Sequence, residues 1–473
     1  MAAVARPLRP RVLVLPFPAK GHVMPLMELS HRLVEHGIEV DFVNTDFNHA
    51  RVMGALAGRV VVEGSSSSVP EAEGIHLVSF PDGMGPEGDR TDVGKLAAGL
   101  PGAMLGGLEE MVVSNGIRWV VVDVSMSWAL KLATTVGVRV ALFSTFSAAI
   151  FALRMHVPKF IEDGIIDENG TVKRKEKIQL GPKMPAVLAA ELPWTSMGKT
   201  PESRRAFIQG VIKANPVIAQ AEIILCNTFQ EIESEALALL PKPALAVGPL
   251  EEAPITNSAS SACHFWAQDQ SCLAWLDAQE PGSVVYVAFG SMTVFDAAQL
   301  LELADALLLC GRPFLWVVRP NITDDGSDVS ESITRRIGAG ESNGLVVSWA
   351  PQQRVLSHPA LACFVTHCGW NSTMEGLRYG VPLLCWPYFA DQFCNRTYVC
   401  DVWRTGIRLC ACEQGLVTKE EIGDKLASLL QDQGIKERVL SLKTAACASL
   451  ADGGSSHQDL LKFVDMLLES SEA

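Results

Sequence analysis

The stretch WAPQQRVLSHPALACFVTHCGWNSTMEGLRYGVPLLCWPYFADQ, residues 349–392, decides the fold. The apolar run 361–366 predicts a buried strand that breaks at His367-Cys368-Gly369 and passes into a helix. Asn371, Ser372 and Thr373 open that helix and predict its cap, because their side chains serve free backbone N–H groups. A strand–glycine–helix junction presents unpaired N–H groups and the positive end of the helix dipole, which suits a phosphate. Glu375 lies one turn further on, placed to accept from ribose hydroxyls. Trp349 closes the preceding strand with a flat apolar face of the kind that stacks on a base. The pieces make a nucleotide cradle.

Outward from the cradle the alternation of strand and helix continues. Downstream, 382–386 reads as a strand; upstream come strand 283–289, turn Gly290-Ser291, helix 297–309, and strands 313–318 and 345–349. Before them, GPLEEAPITNSASSA (248–262) has little apolar periodicity and predicts a linker. The N-terminal half begins with RVLVL (11–15), a run suited to a strand buried on both faces of a parallel sheet. A loop with Gly21 and His22, a helix over 24–35, Gly37 and a strand over 38–44 follow. Further strands are predicted at 75–80, 118–123, 138–144 and 222–227, loops at 64–68 and 81–90, and an exposed polar excursion at 164–183. The fold class is α/β, with two doubly wound parallel-sheet halves and a ligand cleft between the carboxyl ends of their strands. The predicted boundaries are a first domain over 1–248, a linker over 249–264, a second domain over 265–455 and a final segment over 456–473.

Composition narrows the classes. A length of 473 residues points to two or three domains, and 48% hydrophobic against 19% charged residues excludes a disordered chain. The net charge of −14 argues against a nucleic-acid partner and against docking on an anionic membrane. The 12 cysteines form no C-x-x-C pair, Cys410 and Cys412 being the closest two, which predicts reduced thiols in a cytoplasmic compartment. Residues 1–10 lack the apolar run of a signal peptide, and no stretch is read as a span of about 20 apolar residues.

His22 follows the first predicted strand, and Asp123 ends another. An imidazole whose Nδ1–H is held by a carboxylate keeps its other nitrogen as an acceptor, and the carboxylate stabilises the imidazolium once it forms. Such a pair removes a proton from a hydroxyl near neutral pH, an effect of about 10²–10⁴ in rate. The plainer account is that His22 caps a helix and Asp123 merely ends a strand, and spacing does not separate the two.

A resemblance does. Residues 349–392 resemble, over their whole length, the signature box of the plant secondary-product glycosyltransferases, the family-one UDP-sugar-dependent enzymes. PFPAKGHVMP (16–25) and VVDVSMSWA (121–129) resemble the family's loops for the catalytic histidine and its aspartate, here His22 and Asp123. The resemblance implies the two-Rossmann-domain GT-B architecture, with a final helix packing back on the first domain. It implies that Trp349 stacks on uracil, with Gln352 beside it, that His367, Gly369, Asn371 and Ser372 lie at the diphosphate, and that Glu375 meets the ribose. Ser291 would be a further phosphate contact; Trp370, Asp391 and Gln392 would surround the sugar.

The reaction so implied is inverting transfer from a UDP-sugar, with His22 as base and the helix start near Gly369 and His367 meeting the charge of the leaving diphosphate. No Asp-x-Asp pair is present, so no metal and no cofactor are expected. The family's loose association of Gln392 with glucose favours UDP-glucose as donor. The acceptor is expected against residues 81–90, 144–148 and 192–199, where Phe146 and Trp194 suit a flat apolar molecule such as a flavonoid or other phenolic, although they serve equally as core. His358 and His367 beside Cys368 fit no zinc spacing. The competing classes are a nicotinamide-dependent oxidoreductase, for which the 16–24 loop lacks GxGxxG, and a non-catalytic nucleotide-sugar binder.

Overall fold

Every paired strand in the chain's two large sheets runs parallel to its neighbour. The computed structural model describes residues 10–63, 74–90, 92–197, 200–250, 271–320, 322–323, 329–337 and 343–472. The first sheet contains β1 (Arg11–Leu15), β2 (Glu39–Thr45), β3 (Ile75–Phe80), β4 (Trp119–Asp123) and β5 (Arg139–Ser144). A short antiparallel hairpin, β6 (Lys177–Ile178) with β7 (Val187–Leu188), interrupts it before β8 (Ile223–Cys226) and β9 (Ala244–Ala246). Its strand order is β3-β2-β1-β4-β5-β8-β9. The second sheet contains β10 (Val284–Ala288), β11 (Phe314–Val317), β12 (Gly344–Val347), β13 (Leu361–Thr366), β14 (Leu383–Cys385) and β15 (Gly406–Arg408), in the order β12-β11-β10-β13-β14-β15.

The continuous apolar strands explain the parallel pairing. Val12, Leu13, Val14 and Leu15 are at most 1% exposed, as a strand covered by helices on both faces requires. In the second sheet Val285, Val287, Cys363 and Val365 are buried in the same way beneath Leu300, Leu303 and Leu307 of the helix Ala297–Leu309. Asp296 caps that helix by accepting from the Gln299 N–H at 2.7 Å.

The chain divides into two compact units, Met1–Phe160 with Thr200–Trp266 and Ser449–Ala473, and Ile161–Lys199 with Ala267–Ala448. This division differs from the expected boundaries: the first unit runs on to Trp266 and resumes at Ser449, ahead of the expected 456, and residues 161–199 belong with the second unit, where β7 packs on the helix Gln392–Thr397 and Glu191 pairs with Arg396. Part of the polar excursion is thereby ordered as a hairpin. The predicted linker lies mostly outside the described residues, as does the loop 64–68.

By length and mean composition alone, the helix Val93–Ser114 is long and apolar enough to cross a membrane, although it is not an uninterrupted apolar run. It carries Lys95, Glu109 and Glu110, and Leu96, Leu100, Met104, Leu108 and Val112 bury one stripe of it in the first unit.

The last helix, Ser455–Glu472, also belongs to the first unit. Phe463 is fully buried and meets Trp119 edge-on at 5.9 Å, and Asp459 Oδ2 accepts from the Ala246 N–H at 3.0 Å. Phe463→Ala is expected to cost about 3–5 kcal/mol, read as a lower urea midpoint. Leu468→Ala, on the exposed face of the same helix, should shift stability by no more than about 0.5 kcal/mol. Equal shifts would contradict this packing.

Candidate active site

In the first unit the strand order reverses between β1 and β4; His22 lies in the segment leaving β1, and Asp123 is the last residue of β4. His22 lies in the first turn of the helix Lys20–Glu35, whose N-cap is Ala19, so its side chain does not cap the helix. Its Nδ1 is 2.7 Å from Asp123 Oδ2. A carboxylate only accepts, so the proton sits on Nδ1 and Nε2 is left with its lone pair. Asp123 is fully buried, while the His22 side chain is 25% exposed. Asp123 Oδ1 accepts from the Ser125 N–H at 2.7 Å, and Oδ2 also from the Phe17 N–H at 3.4 Å. The Phe17 ring tilts over the imidazole at 5.3 Å. A third side chain joins them: Thr145 Oγ1, just past β5, is 3.0 Å from His22 Nδ1. Arg154, 9% exposed, is lowered to about 10 by burial, against which the charge of Asp123 acts.

In the second unit the reversal falls between β10 and β13. Gly290 follows β10 with φ of 66°, and His367 follows β13. A Cβ added at Gly290 or at Gly369 would lie 2.6 Å from His367 Nε2, so the ring is wedged between two backbones that only glycine permits. Burial, with the Arg319 charge adding to it, lowers His367 to about 4, so its ring is neutral at pH 7. Arg319 itself is buried, is lowered to about 10 by burial, and donates to the Thr293 carbonyl beside the Gly290-Ser291 turn.

The helix begins at Trp370 with Gly369 as N-cap, which corrects the expected cap. Asn371, Ser372 and Thr373 stand inside its first turn, and Thr373 Oγ1 donates back to the Gly369 carbonyl at 3.1 Å. Trp370 is 3% exposed and packs near Tyr398 and Trp403, so its side chain belongs to the core and not to a sugar site. Gln352 Nε2 donates to Ser372 Oγ at 3.0 Å and to Glu375 Oε2 at 2.5 Å, while Gln353 Nε2 reaches Glu375 Oε1 at 3.3 Å. Glu375 is thus held by two amides. Trp349 is half-buried two residues beyond β12, not within it. Ser291 is also half-buried.

Asp391 and Gln392 start the helix Gln392–Thr397. Gln392 Oε1 accepts from the N–H groups of Tyr388 and Phe389 at 2.7 and 3.0 Å, which leaves its Nε2 as the group able to meet a ligand. Asn395 Nδ2 donates both to Asp391 Oδ2 at 2.8 Å and to the Cys368 carbonyl at 2.9 Å, tying this helix to the loop at His367.

A family profile described as "UDP-glucoronosyl and UDP-glucosyl transferase" matches residues 228–446. UDP-glycosyltransferase 83A1 of Arabidopsis thaliana is 39% identical over 97% of both chains. The chain is a plant family-one UDP-glycosyltransferase. The 7-deoxyloganetin glucosyltransferase of Gardenia jasminoides is 32% identical over 99% of this glycosyltransferase and 100% of its own length. Among solved structures, Os79 from O. sativa in complex with UDP superposes with a TM-score of 0.77 at 26% identity, covering 96% of this glycosyltransferase and 100% of that chain. The architecture is GT-B, and family membership removes the oxidoreductase alternative.

The structure brings His22 to Asp123, and Gln352, Ser372 and Glu375 to one another. It does not make Trp194 a pocket wall: that ring is 2% exposed, whereas Phe146 is half-buried and meets Phe151 edge-on at 6.0 Å. His358 bonds Asp277 and the Ala360 N–H, and no group of three or more His, Cys, Asp or Glu stands together among the described residues. Thr145, Arg319 and Gln353 carried no sequence signal, since each matters through a partner distant in sequence or through burial.

The neutral state of His367 sets a pH expectation. Between its ordinary 6.5 and about 4 the unfolded chain takes up a proton here that the folded chain refuses. The ring's contribution to stability is complete above pH 6.5 and lost as pH falls to about 4. His367 should accordingly contribute no step to UDP affinity between about pH 6 and 7, where the terminal phosphate of UDP itself ionises. A step there that vanishes in His367→Gln would contradict a neutral ring.

Proposed function

We propose that this glycosyltransferase moves glucose from UDP-glucose to a hydroxyl of a small aromatic or lipophilic metabolite, such as a flavonoid or other phenolic, giving a β-O-glucoside. The observation that carries this reading is the 2.7 Å contact between His22 Nδ1 and the fully buried Asp123, with the imidazole partly exposed. Nε2 takes the acceptor proton as the oxygen attacks the anomeric carbon. The bond from that carbon to the diphosphate breaks, and UDP leaves with the electron pair. Attack opposite to UDP inverts the centre, so an α-linked donor gives a β product.

The donor half of the reading assigns Trp349 and Gln352 to the uracil side, Glu375 to the ribose, Ser291, His367, Gly369, Asn371 and Ser372 to the diphosphate, and Asp391 and Gln392 to the sugar. The Trp370 side chain is left out of it because it is buried. Charge growing on the diphosphate meets the free N–H groups at Gly369 and the helix dipole, with no resident metal or other cofactor in the scheme. Glucose as donor is supported by the glucosyltransferase from Gardenia jasminoides. An apolar acceptor is supported by a UDP-glucosyltransferase from Polygonum tinctorium capable of glucosylating indoxyl, solved with 3,4-dichloroaniline, which is 26% identical with a TM-score of 0.78. The cysteines of the described residues are free thiols, which supports a reducing, cytoplasmic setting.

The test is UDP release from UDP-glucose over a panel of phenols, alcohols, hormones and carboxylic acids. His22→Ala should lower kcat by about 10²–10⁴ while UDP still binds, with residual activity greatest on phenols, whose pKa is about 10. Near-native turnover in that variant would remove His22 as the base. Thr145→Val, which removes a neutral hydrogen-bond partner of the same ring, should cost only about 2–10-fold, and Thr145→Ser should restore it. For the donor, Gln392→His should shift the ratio of UDP-glucose to UDP-galactose turnover; an unchanged ratio would dismiss Gln392 as selector.

A further inference from the structure

The N–H groups of Ala148, Ala149 and Ile150 open the helix Ala148–Met155 and precede the bond from the Phe151 N–H to the Ser147 carbonyl at 3.1 Å. Side chains meet all three. Ser147 Oγ accepts from Ile150 at 3.2 Å, a cap supplied locally. The other two go to a single distant residue: Glu233 Oε2 accepts from Ala148 at 2.9 Å, and Oε1 from Ala149 at 3.0 Å. Both oxygens accept, as those of an ionised carboxylate do. Glu233 is 2% exposed and stands where the helix Gln230–Ala238 leaves helical geometry, with φ −132° and ψ 22°. Burial of that charge is offset by the two N–H groups at the positive end of a helix.

Those N–H groups hold one end of the turn 144–148. The other end is Ser144, the last residue of β5, which pairs with Cys226 of β8 and whose Oγ donates to the Phe146 carbonyl at 2.8 Å. Thr145 lies between the two anchors, 6% exposed, with Oγ1 3.0 Å from His22 Nδ1. The contact of Asp123 Oδ2, at 2.7 Å, converges on the same ring nitrogen.

We propose that Glu233 is a positioning residue for the glycosyl transfer: by holding the turn 144–148 it keeps Thr145 against His22, and so keeps the imidazole in the one orientation in which Nδ1 faces Asp123 and Nε2 carries the lone pair. The inference rests on the proposed function in taking His22 as the base, and every residue in it belongs to the first unit. The contact to Asp123 fixes where Nδ1 points but leaves the ring a tilt about that line. Thr145 at the end of another strand, with Phe17 over the ring at 5.3 Å, removes that freedom. Glutamine at 233 would keep the shape and lose the match: its Oε1 accepts from one N–H while its Nε2 faces the other, donor to donor.

The test follows UDP release from UDP-glucose with 2-naphthol as acceptor, in the full chain, for Glu233→Gln alone and combined with Thr145→Val or with His22→Ala. Glu231→Gln is the control, since Glu231 is exposed on the same helix and bonds Ser455 Oγ. Glu233→Gln should lower kcat about 2–10-fold, with KM for UDP-glucose within about twofold, and the control should change neither. Combined with Thr145→Val it should be no slower than the slower single variant, and beside His22→Ala its effect on the residual turnover should vanish. A merely structural Glu233 lowers the active fraction equally in every background, so an undiminished loss beside His22→Ala overturns the proposal, as does an unchanged kcat. Hydrogen exchange in 145–150 should quicken about tenfold in Glu233→Gln and not in the control; no change there overturns the proposal even if 2-naphthol is no acceptor. Should Glu233→Gln not fold, Glu233→Asp, which keeps the charge on a shorter stem, replaces it in the same cycles. Near-native kcat in His22→Ala alone is a separate failure, since it removes the proposed base and with it the group to be positioned.

Discussion

A parallel strand reached by a right-handed crossover takes its helix on one face of the sheet, and where strand order reverses, two adjacent loops leave toward opposite faces. That reversal opens a crevice at the carboxyl ends of the two central strands, and it occurs once in each sheet of this chain. Adjacent strands are about 4.8 Å apart, so residues just past their ends come within reach however distant in sequence. His22 and Asp123 are separated by 101 positions and meet at 2.7 Å because β1 pairs with β4 in register, Leu15 against Val122. The pairing of β10 with β13, Ala288 against Thr366, brings Gly290 to His367 in the same way.

Burying the Asp123 carboxylate completely carries a desolvation cost, and the fold meets it with donors around both oxygens: Ser125 N–H on one, Phe17 N–H and the His22 ring on the other. Those donors also orient the imidazole. A second buried carboxylate works one layer further back. Glu233, 2% exposed, accepts from the N–H groups of Ala148 and Ala149 at 2.9 and 3.0 Å, at the start of the helix Ala148–Met155. Ser147 Oγ accepts from the Ile150 N–H at the same end. The loop that brings Thr145 to His22 is thereby fixed from its far side.

How much of this was legible in the sequence depended on range. The run 361–366 and its glycine break are local, and β13 occupies those residues. The helix start was displaced by two residues because Asn371, Ser372 and Thr373 have strong cap propensity, while backbone geometry at Gly369, beside the His367 ring, decided the cap. Trp370 resembled a sugar contact because it sits inside the motif; only tertiary packing against Tyr398 and Trp403 shows where its ring goes. Residues 161–199 were assigned by chain order to the first domain, since nothing local announces that Glu191 will find Arg396 205 positions later. Thr145 was invisible for the same reason, lying 123 positions from the ring it touches.

The turn proposed to seat the diphosphate shows what a local reading omits about charge. A histidine inside a phosphate motif suggests an imidazolium, yet burial and the neighbouring Arg319 hold His367 neutral at any pH well above about 4. A neutral imidazole offers one N–H and no net charge, so in the proposed reading the diphosphate draws on oriented backbone dipoles and not on a charge at His367. That assigns the two glycines a steric task. Gly290 and Gly369 leave room for the ring between two backbone turns; a methyl group at either would collide with Nε2. Gly369 is also the N-cap of the helix, so no side chain larger than hydrogen stands at its start. In the proposed reading the seat is built by leaving side-chain atoms out, and an anion there would be met by backbone N–H groups.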